Sequence, residues 1–413
     1  MYKRKITQNI LDALSDTPVV FLRGARQSGK STLVQTIADG PYPARYLTLD
    51  SAGALSAAAE DPAGFIAGLE KPVVIDEAQR LKSLFLAIKE DVDRKREPGR
   101  YLLTGSTNVL ALPSVSDALV GRMEVLTLWP LCIGEIVEAG GNIIDLLFDK
   151  SFPTRIKQSR DFKLAEAITS GGFPEPLQRT NRKRRRAWFE AYITTILDRD
   201  IHSLAQIQDL TAVPHLLKLL AGRTATLHNQ SEVSRSSGIA NTTLSRYMAM
   251  LQTTFLVQAL PAWSANLGKR LVKAPKLYMA DTGLACHLLD MDKKRFRQGG
   301  EMAGRLFENF VVLELFKHAA WSEELVQLFH FRSQSGREVD VIIESGGRVV
   351  GVEIKLSATP SPRDFAGLKI LQEHLGEKFV RGVLIHTGRE VVPFGKNLHA
   401  VAISELLAGD IGV

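Results

Sequence analysis

Gly24-Ala25-Arg26-Gln27-Ser28-Gly29-Lys30-Ser31 fits the pattern G-x-x-x-x-G-K-S/T without a mismatch, and these eight residues narrow the fold more than any other stretch. Such a loop works only between a buried strand and the start of a helix. Val19–Arg23 reads as that strand and Ser31–Ala38 as that helix. The glycines let backbone N–H groups curl around a phosphate with no Cβ in the way. The helix start adds partial positive charge. Lys30 is expected to reach the β- and γ-phosphates, Ser31 to ligate Mg²⁺, and Thr32 to lie near the α-phosphate. Gly24, Ala25, Arg26, Gln27, Ser28, Gly29, Lys30, Ser31 and Thr32 are therefore the expected cradle for ATP.

Further short apolar runs alternate with helical patterns. Arg45–Asp50, Val73–Asp76, Tyr101–Gly105 and Glu124–Trp129 read as strands, and the alternation implies a parallel sheet covered on both faces. Val73-Val74-Ile75-Asp76-Glu77 ends in two carboxylates, which places both at the carboxyl edge of that sheet. Asp76 is expected to hold Mg²⁺ through water, and Glu77 to orient or activate the attacking water. Tyr101–Gly105 also ends in polar residues, so Asn108, Ser106 and Thr104 are candidates for sensing the γ-phosphate. Arg122 is the candidate cation for charge on the transferring phosphoryl group, in cis or from a neighbouring subunit of a homo-oligomer.

Beyond the first third the strands stop. Lys163–Ala221 is mostly helical, broken at Gly171-Gly172-Phe173-Pro174 and at Pro214. The run Arg182-Lys183-Arg184-Arg185-Arg186, followed by Trp188, is the densest basic patch, either a solvated helix start or a phosphate-contacting surface. Helical patterns at Glu232–Ser236 and Asn241–Leu251 flank Gly238, and Phe255–Leu260 is β-rich. This is the outline of a winged helix-turn-helix, with Thr242, Thr243, Ser245 and Arg246 opening the reading helix. The net charge of +7 is compatible with a polyanionic partner. Cys132 and Cys286 sit in no metal or disulfide pattern and read as buried thiols. No apolar run is long enough to span a bilayer, and no signal-peptide core follows the basic N-terminus, so a cytoplasmic location is expected.

With Ile75-Asp76-Glu77-Ala78-Gln79, Leu103-Thr104-Gly105-Ser106, Ala118-Leu119-Val120-Gly121-Arg122, Gly171-Gly172-Phe173-Pro174-Glu175, Asp198-Arg199-Asp200 and Lys276–Leu284, the loop motif resembles the AAA-type P-loop ATPases of prokaryotes whose C-terminal half is a region of uncharacterised function. The resemblance runs through nearly the whole chain. It implies ATP binding, a winged-helix region and a restriction-endonuclease-like fold at the C-terminus. The expected fold class is α/β: a P-loop NTPase parallel sheet, then a helical and winged-helix region, then a restriction-endonuclease-like α/β domain. The expected boundaries are 1–155 for the ATPase, 156–228 for a helical linker, 229–292 for the winged helix and 293–413 for the last domain.

That last segment reads as helix Met302–Ala319, strands Leu328–Arg332, Glu338–Ile343 and Val349–Leu356, helix Arg363–Gly376, strand Arg381–His386, then a short strand and helix. Asp340, and Glu353 with Lys355 two residues on, follow the outline of a PD-(D/E)xK nuclease core. Glu353 and Lys355 share one face of a strand, opposite Val352 and Ile354. Asp340, Glu353 and, from the preceding helix, Glu308 are candidate metal ligands, and Lys355 a candidate catalytic group, for Mg²⁺-assisted phosphodiester hydrolysis. An inactive nucleic-acid binder and a protein-binding module stand as alternatives. For the whole chain the leading expectation is an ATP-driven machine acting on nucleic acid. The alternative is a regulatory or chaperone-like switch that binds a protein. Asp76-Glu77-Ala78-Gln79 also resembles a helicase box, but no second tandem RecA-like domain is visible.

Overall fold

A computed structural model describes residues 2–106, 119, 121–152, 162–201, 211–264, 273–333 and 336–408. Its first unit is a five-stranded parallel sheet built from β1 (Val19–Arg23), β2 (Arg45–Thr48), β3 (Val73–Asp76), β4 (Tyr101–Gly105) and β5 (Met123–Thr127), in the order β2-β3-β4-β1-β5. The central strands are buried from end to end except at Arg23, because helices cover both faces. Separate apolar clusters lie on the two faces: Val19, Phe21, Val73, Ile75 and Leu103 on one, Val20, Leu22, Val74 and Leu102 on the other. The order puts β4 between β1 and β3. The ends of all three strands therefore meet at one edge.

The middle of the chain is helical, as read, through Leu164–Ser170, Pro174–Gln178 and Arg182–Thr195. Asn181 caps the last of these by accepting from the Lys183 and Arg184 N–H groups at 2.8 and 3.3 Å. Pro214 was expected to break a helix and does not. It stands in the first turn of Ala212–Gly222, where N–H groups have no intrahelical acceptor to lose. There follow β6 (Thr226–Leu227), helices Gln230–Ser237 and Asn241–Thr253, β7 (Val257–Leu260) and β8 (Lys276–Met279). Gly238 ends the first of those helices at φ +72, a conformation glycine adopts without strain. The three strands pair antiparallel in the order β6-β8-β7.

A helix of 19 residues, Glu301–Ala319, then leads into a mixed six-stranded sheet. Its strands are β9 (Gln327–Arg332), β10 (Glu338–Ser345), β11 (Arg348–Lys355), β12 (Phe379–His386), β13 (Val392–Gly395) and β14 (Leu398–Ala402), ordered β13-β14-β12-β11-β10-β9. β10 and β11 form an antiparallel hairpin, while β12 lies parallel to β11. The sequence reading missed β13, which is short, half-exposed and contains Pro393. Val350, Val352 and Ile354 of β11 face the large apolar cluster shared with the middle of the chain. Among the described residues, no helix is long and apolar enough to cross a membrane.

Candidate functional site

At the carboxyl end of β1 the main chain passes so close to β5 that a Cβ on Gly24 would lie 2.2 Å from the Leu128 carbonyl oxygen. Gln27 and Gly29 take φ of +61 and +97, which curls the loop back on itself before the helix starts at Lys30. The Lys30 side chain is buried, and its Nζ donates to the Gly24 and Ala25 carbonyls at 2.9 Å each. Ser28 Oγ is buried with no hydrogen-bond partner. A left-handed glycine turn, an orphaned hydroxyl and a buried lysine donating to loop carbonyl oxygens fit a phosphate chain. Anionic oxygens would satisfy each of these groups.

Opposite the loop, Asp76 closes β3, almost fully buried. Its Oδ1 accepts from the Thr104 hydroxyl, and its Oδ2 accepts from Tyr46 OH at 2.9 Å. Burial and the Asp76 charge push the Tyr46 phenol well above its ordinary value, so Tyr46 stays a donor. Glu77 turns out of the sheet at φ +57, with its N–H on Thr104 Oγ1 at 3.0 Å. Gln79 Nε2 holds the Glu77 carboxylate at 2.5 Å and touches Ser106 Oγ at 2.9 Å. Thr104 and Ser106 thus sit among the acids, as expected of this strand end. Asn108 lies outside the described residues.

Three groups around this edge were given no role from sequence: Tyr46, Arg4, and Gln79, which was quoted only as part of a motif. Arg4 is nine-tenths buried. It donates to the Ser28 carbonyl at 2.8 Å and the Trp129 carbonyl at 2.6 Å, and pairs with Glu135 at 3.0 Å. No local pattern marks it, because its partners lie up to 131 residues away. Arg4 also lines a cavity of about 510 Å³ beside the loop, with Gly29, Thr32, Thr36, Pro174 and Gln178. Pro174, from the Gly171–Pro174 break, thereby brings the middle unit to the nucleotide edge.

Arg122 is placed elsewhere. It directly precedes β5, whose register sets Met123 beside Val19 at the opposite edge of the sheet. About five residues of strand, roughly 16 Å, separate that edge from the loop. Arg122 pairs there with Asp93 at 2.5 Å. The cis role expected of it is therefore corrected, and only a neighbouring subunit could use it.

The C-terminal residues do come together, but not as metal ligands. Lys276, from β8, lies 3.0 Å from both Glu308 Oε1 and Asp340 Oδ1. Tyr278 OH donates to Glu308 at 2.8 Å, and the Ile354 N–H to Asp340 Oδ2 at 2.9 Å. Glu353 Oε1 pairs with Lys355 at 2.7 Å, on the shared strand face that was expected. Burial, then the Asp340 charge, pushes Glu353 up to about 8 and Glu308 up to about 7. Burial works to lower Lys276, and the two carboxylates overcome it and raise it. Among the described residues, the ligand atoms of Glu308, Asp340 and Glu353 do not gather within 4.8 Å of one another. The metal-ligand assignment is corrected on this ground: an ammonium already stands between two of the three acids.

One set does gather within that distance, Cys132, Glu314 and His318. His318 Nδ1 accepts from the Ile143 N–H at 3.2 Å, which puts the neutral ring's proton on Nε2. Glu314 is paired with Lys317 at 2.7 Å. The set packs a junction and offers no lone pair from the imidazole Nε2. Three of the five residues of the basic run are likewise engaged within the chain. Arg182 pairs with Asp292 and Arg186 with Asp290, at 2.8 and 2.7 Å, and Arg185 donates to Ser170 Oγ at 2.7 Å. In the helix Asn241–Thr253, Thr242, Ser245 and Arg246 are exposed and Thr243 is half-buried.

Residues 16–137 match an AAA domain family, residues 161–295 a domain of unknown function (DUF8612) and residues 303–406 another (DUF4143). An uncharacterised protein of Mycobacterium tuberculosis is 29% identical over 406 residues, covering 98% of this chain and 84% of that protein. One of Haemophilus influenzae is 22% identical over 297 residues, 68% of this chain and 65% of its own. Among solved structures, a Walker-type ATPase of Pyrococcus abyssi aligns over 70% of this chain and 96% of its own, at 15% identity and a TM-score of 0.44.

Proposed function

We propose that this chain, an AAA-type P-loop ATPase domain followed by two domains of unknown function, is a Mg²⁺-dependent ATPase that turns over to reposition its middle unit on nucleic acid. The first half rests on one observation. The loop bearing Lys30 and Ser31 and the acids Asp76 and Glu77 share one edge of the sheet, with Thr104 between the strands that carry them. Lys30 would leave its two carbonyl partners to meet β- and γ-phosphate oxygens. Ser31 and Asp76 would hold Mg²⁺, which when bound supplies charge compensation for the phosphates. Glu77, fixed by Gln79 and Ser106, would orient the attacking water and take up its proton.

The second half rests on the order of elements. Helix Ala212–Gly222, β6, two helices, β7 and β8 follow the winged-helix plan, and the second of the two helices exposes Thr242, Ser245 and Arg246. The strand order β9-β10-β11-β12 is in keeping with a restriction-endonuclease-like core. The pairing of Arg182 and Arg186 with aspartates of the same chain favours a second reading, a nucleotide-dependent switch for a protein partner. One experiment separates the two. ATP turnover is measured with and without single- and double-stranded DNA, beside a mobility shift over a salt series. Stimulated turnover and a shift that fades with salt support nucleic acid. Turnover without any DNA effect, and no shift at low salt, would leave the protein switch. No turnover at all would remove both.

A further inference from the structure

The Ser28–Gly29 peptide of the phosphate loop has little restraint of its own, since Gly29 stands at φ +97 with no side chain to hold it. Its direction is set from outside. Arg4 is only 9% exposed, and its guanidinium reaches three separate segments. Nη1 donates to the Ser28 carbonyl at 2.8 Å, Nη2 to the Trp129 carbonyl at 2.6 Å, and Nε to Glu135 Oε1 at 3.0 Å. Glu135 is fixed in turn by the Lys5 and Cys132 N–H groups, at 2.9 and 3.0 Å. The segment after β5 therefore grips the loop twice. Gly24 lies against the Leu128 carbonyl, and Ser28 is tied through Arg4 to Trp129.

The Ser28–Gly29 bond is trans, so its N–H points away from its carbonyl. A donor pinned on the carbonyl turns the Gly29 N–H to the opposite side. Glu135 matches the Arg4 charge, so what Arg4 adds to the loop is direction rather than net charge. We propose that Arg4 is a positioning residue of the nucleotide site, which keeps the Gly29 amide aimed at the phosphates. This rests on the ATPase reading above. Arg4 itself touches no phosphate. It acts through an amide that would meet the α- and β-phosphates, which ATP and ADP share. A lysine cannot replace it, because one ammonium does not offer a planar fork to three fixed acceptors.

The test is calorimetric binding of Mg-ADP to the full chain, with Mg-ATP turnover alongside. In Arg4→Lys and Arg4→Ala the Mg-ADP Kd should rise roughly tenfold or more at unchanged stoichiometry. KM for ATP should rise with it, while kcat stays within about threefold. A purely structural role would instead lower Tm and the fraction of chains that bind, and leave the Kd of the folded remainder alone. Arg4 lines the cavity of about 510 Å³ beside the loop, which gives a small cation a way in. Methylguanidine should accordingly tighten Mg-ADP binding to Arg4→Ala and not to wild type. Should the single variants fail to fold, Arg4→Met combined with Glu135→Gln removes the pair without stranding a buried charge, and reads the same Kd. A folded variant with the wild-type Kd, or lowered stoichiometry at that Kd, would overturn the role of Arg4 while the ATPase reading stands. No Mg-nucleotide binding by wild type would bring down that reading, and the role of Arg4 with it.

Discussion

The nucleotide edge and the C-terminal hairpin are made of the same materials, lysines and carboxylates on neighbouring strands, and they are wired in opposite ways. At the first, Lys30 rests on two neutral carbonyls, while Asp76 and Glu77 are held by a phenol, hydroxyls and an amide. Neutral partners of this kind orient a charged side chain without cancelling its charge. At the second, Lys276 and Lys355 pair with the acids themselves. That arrangement compensates buried charge and leaves little to offer a phosphate. Residue types nominate a site; which partners hold them decides whether it can work.

The comparison breaks first on lysine substitutions. Lys30→Ala is expected to lower ATP turnover by about 10³-fold or more, on the scale of lost phosphate-stabilising donors. Lys355→Ala should leave turnover unchanged in the same coupled assay, and a matching loss would show that the hairpin belongs to the ATPase centre. Next comes Glu77→Gln, with turnover down roughly 10²-fold at nearly unaltered ATP affinity by calorimetry, because the carboxylate acts on water. Asp340→Asn should cost up to about 3 kcal/mol in urea unfolding, since Lys276 keeps only Glu308 as a partner, with ATP affinity intact.

The smallest effect concerns pH. His318, fully buried beside Lys317 and Lys5, is held down to about 3 from 6.5. The unfolded chain then binds its proton first, so stability is present above about 6.5 and lost as pH falls toward 3. A His318→Gln variant should lose less Tm than wild type between pH 7 and 5. Equal losses would mean that the ring is not buried neutral.

The first sheet was legible because its signals are local. Val19–Arg23, Val73–Asp76 and Tyr101–Gly105 each announce themselves by apolar runs and end in the polar residues that matter. Glu353 and Lys355 were readable for the same reason, being two apart on one strand. What escaped is set by register and distance. Arg122 was a candidate in cis or from a neighbouring subunit, and sequence could not show that it stands just before β5, whose register with β1 places it at the far edge. Arg4 carries no motif of its own, the run Lys276–Leu284 gave Lys276 no role, and the partners of both are brought to them only by the folded chain.

The helix Glu301–Ala319 has a practical consequence. Near its far end Glu314 accepts from the Ile133 N–H at 2.9 Å, and Lys317 donates to the Leu131 carbonyl at 3.0 Å. A fragment trimmed at residue 155 to isolate the ATPase would strip those backbone groups of their caps and lay bare an apolar seam. Inactivity or clumping of such a truncation would then report surgery, not chemistry, and enzymology on this protein belongs with the uncut polypeptide.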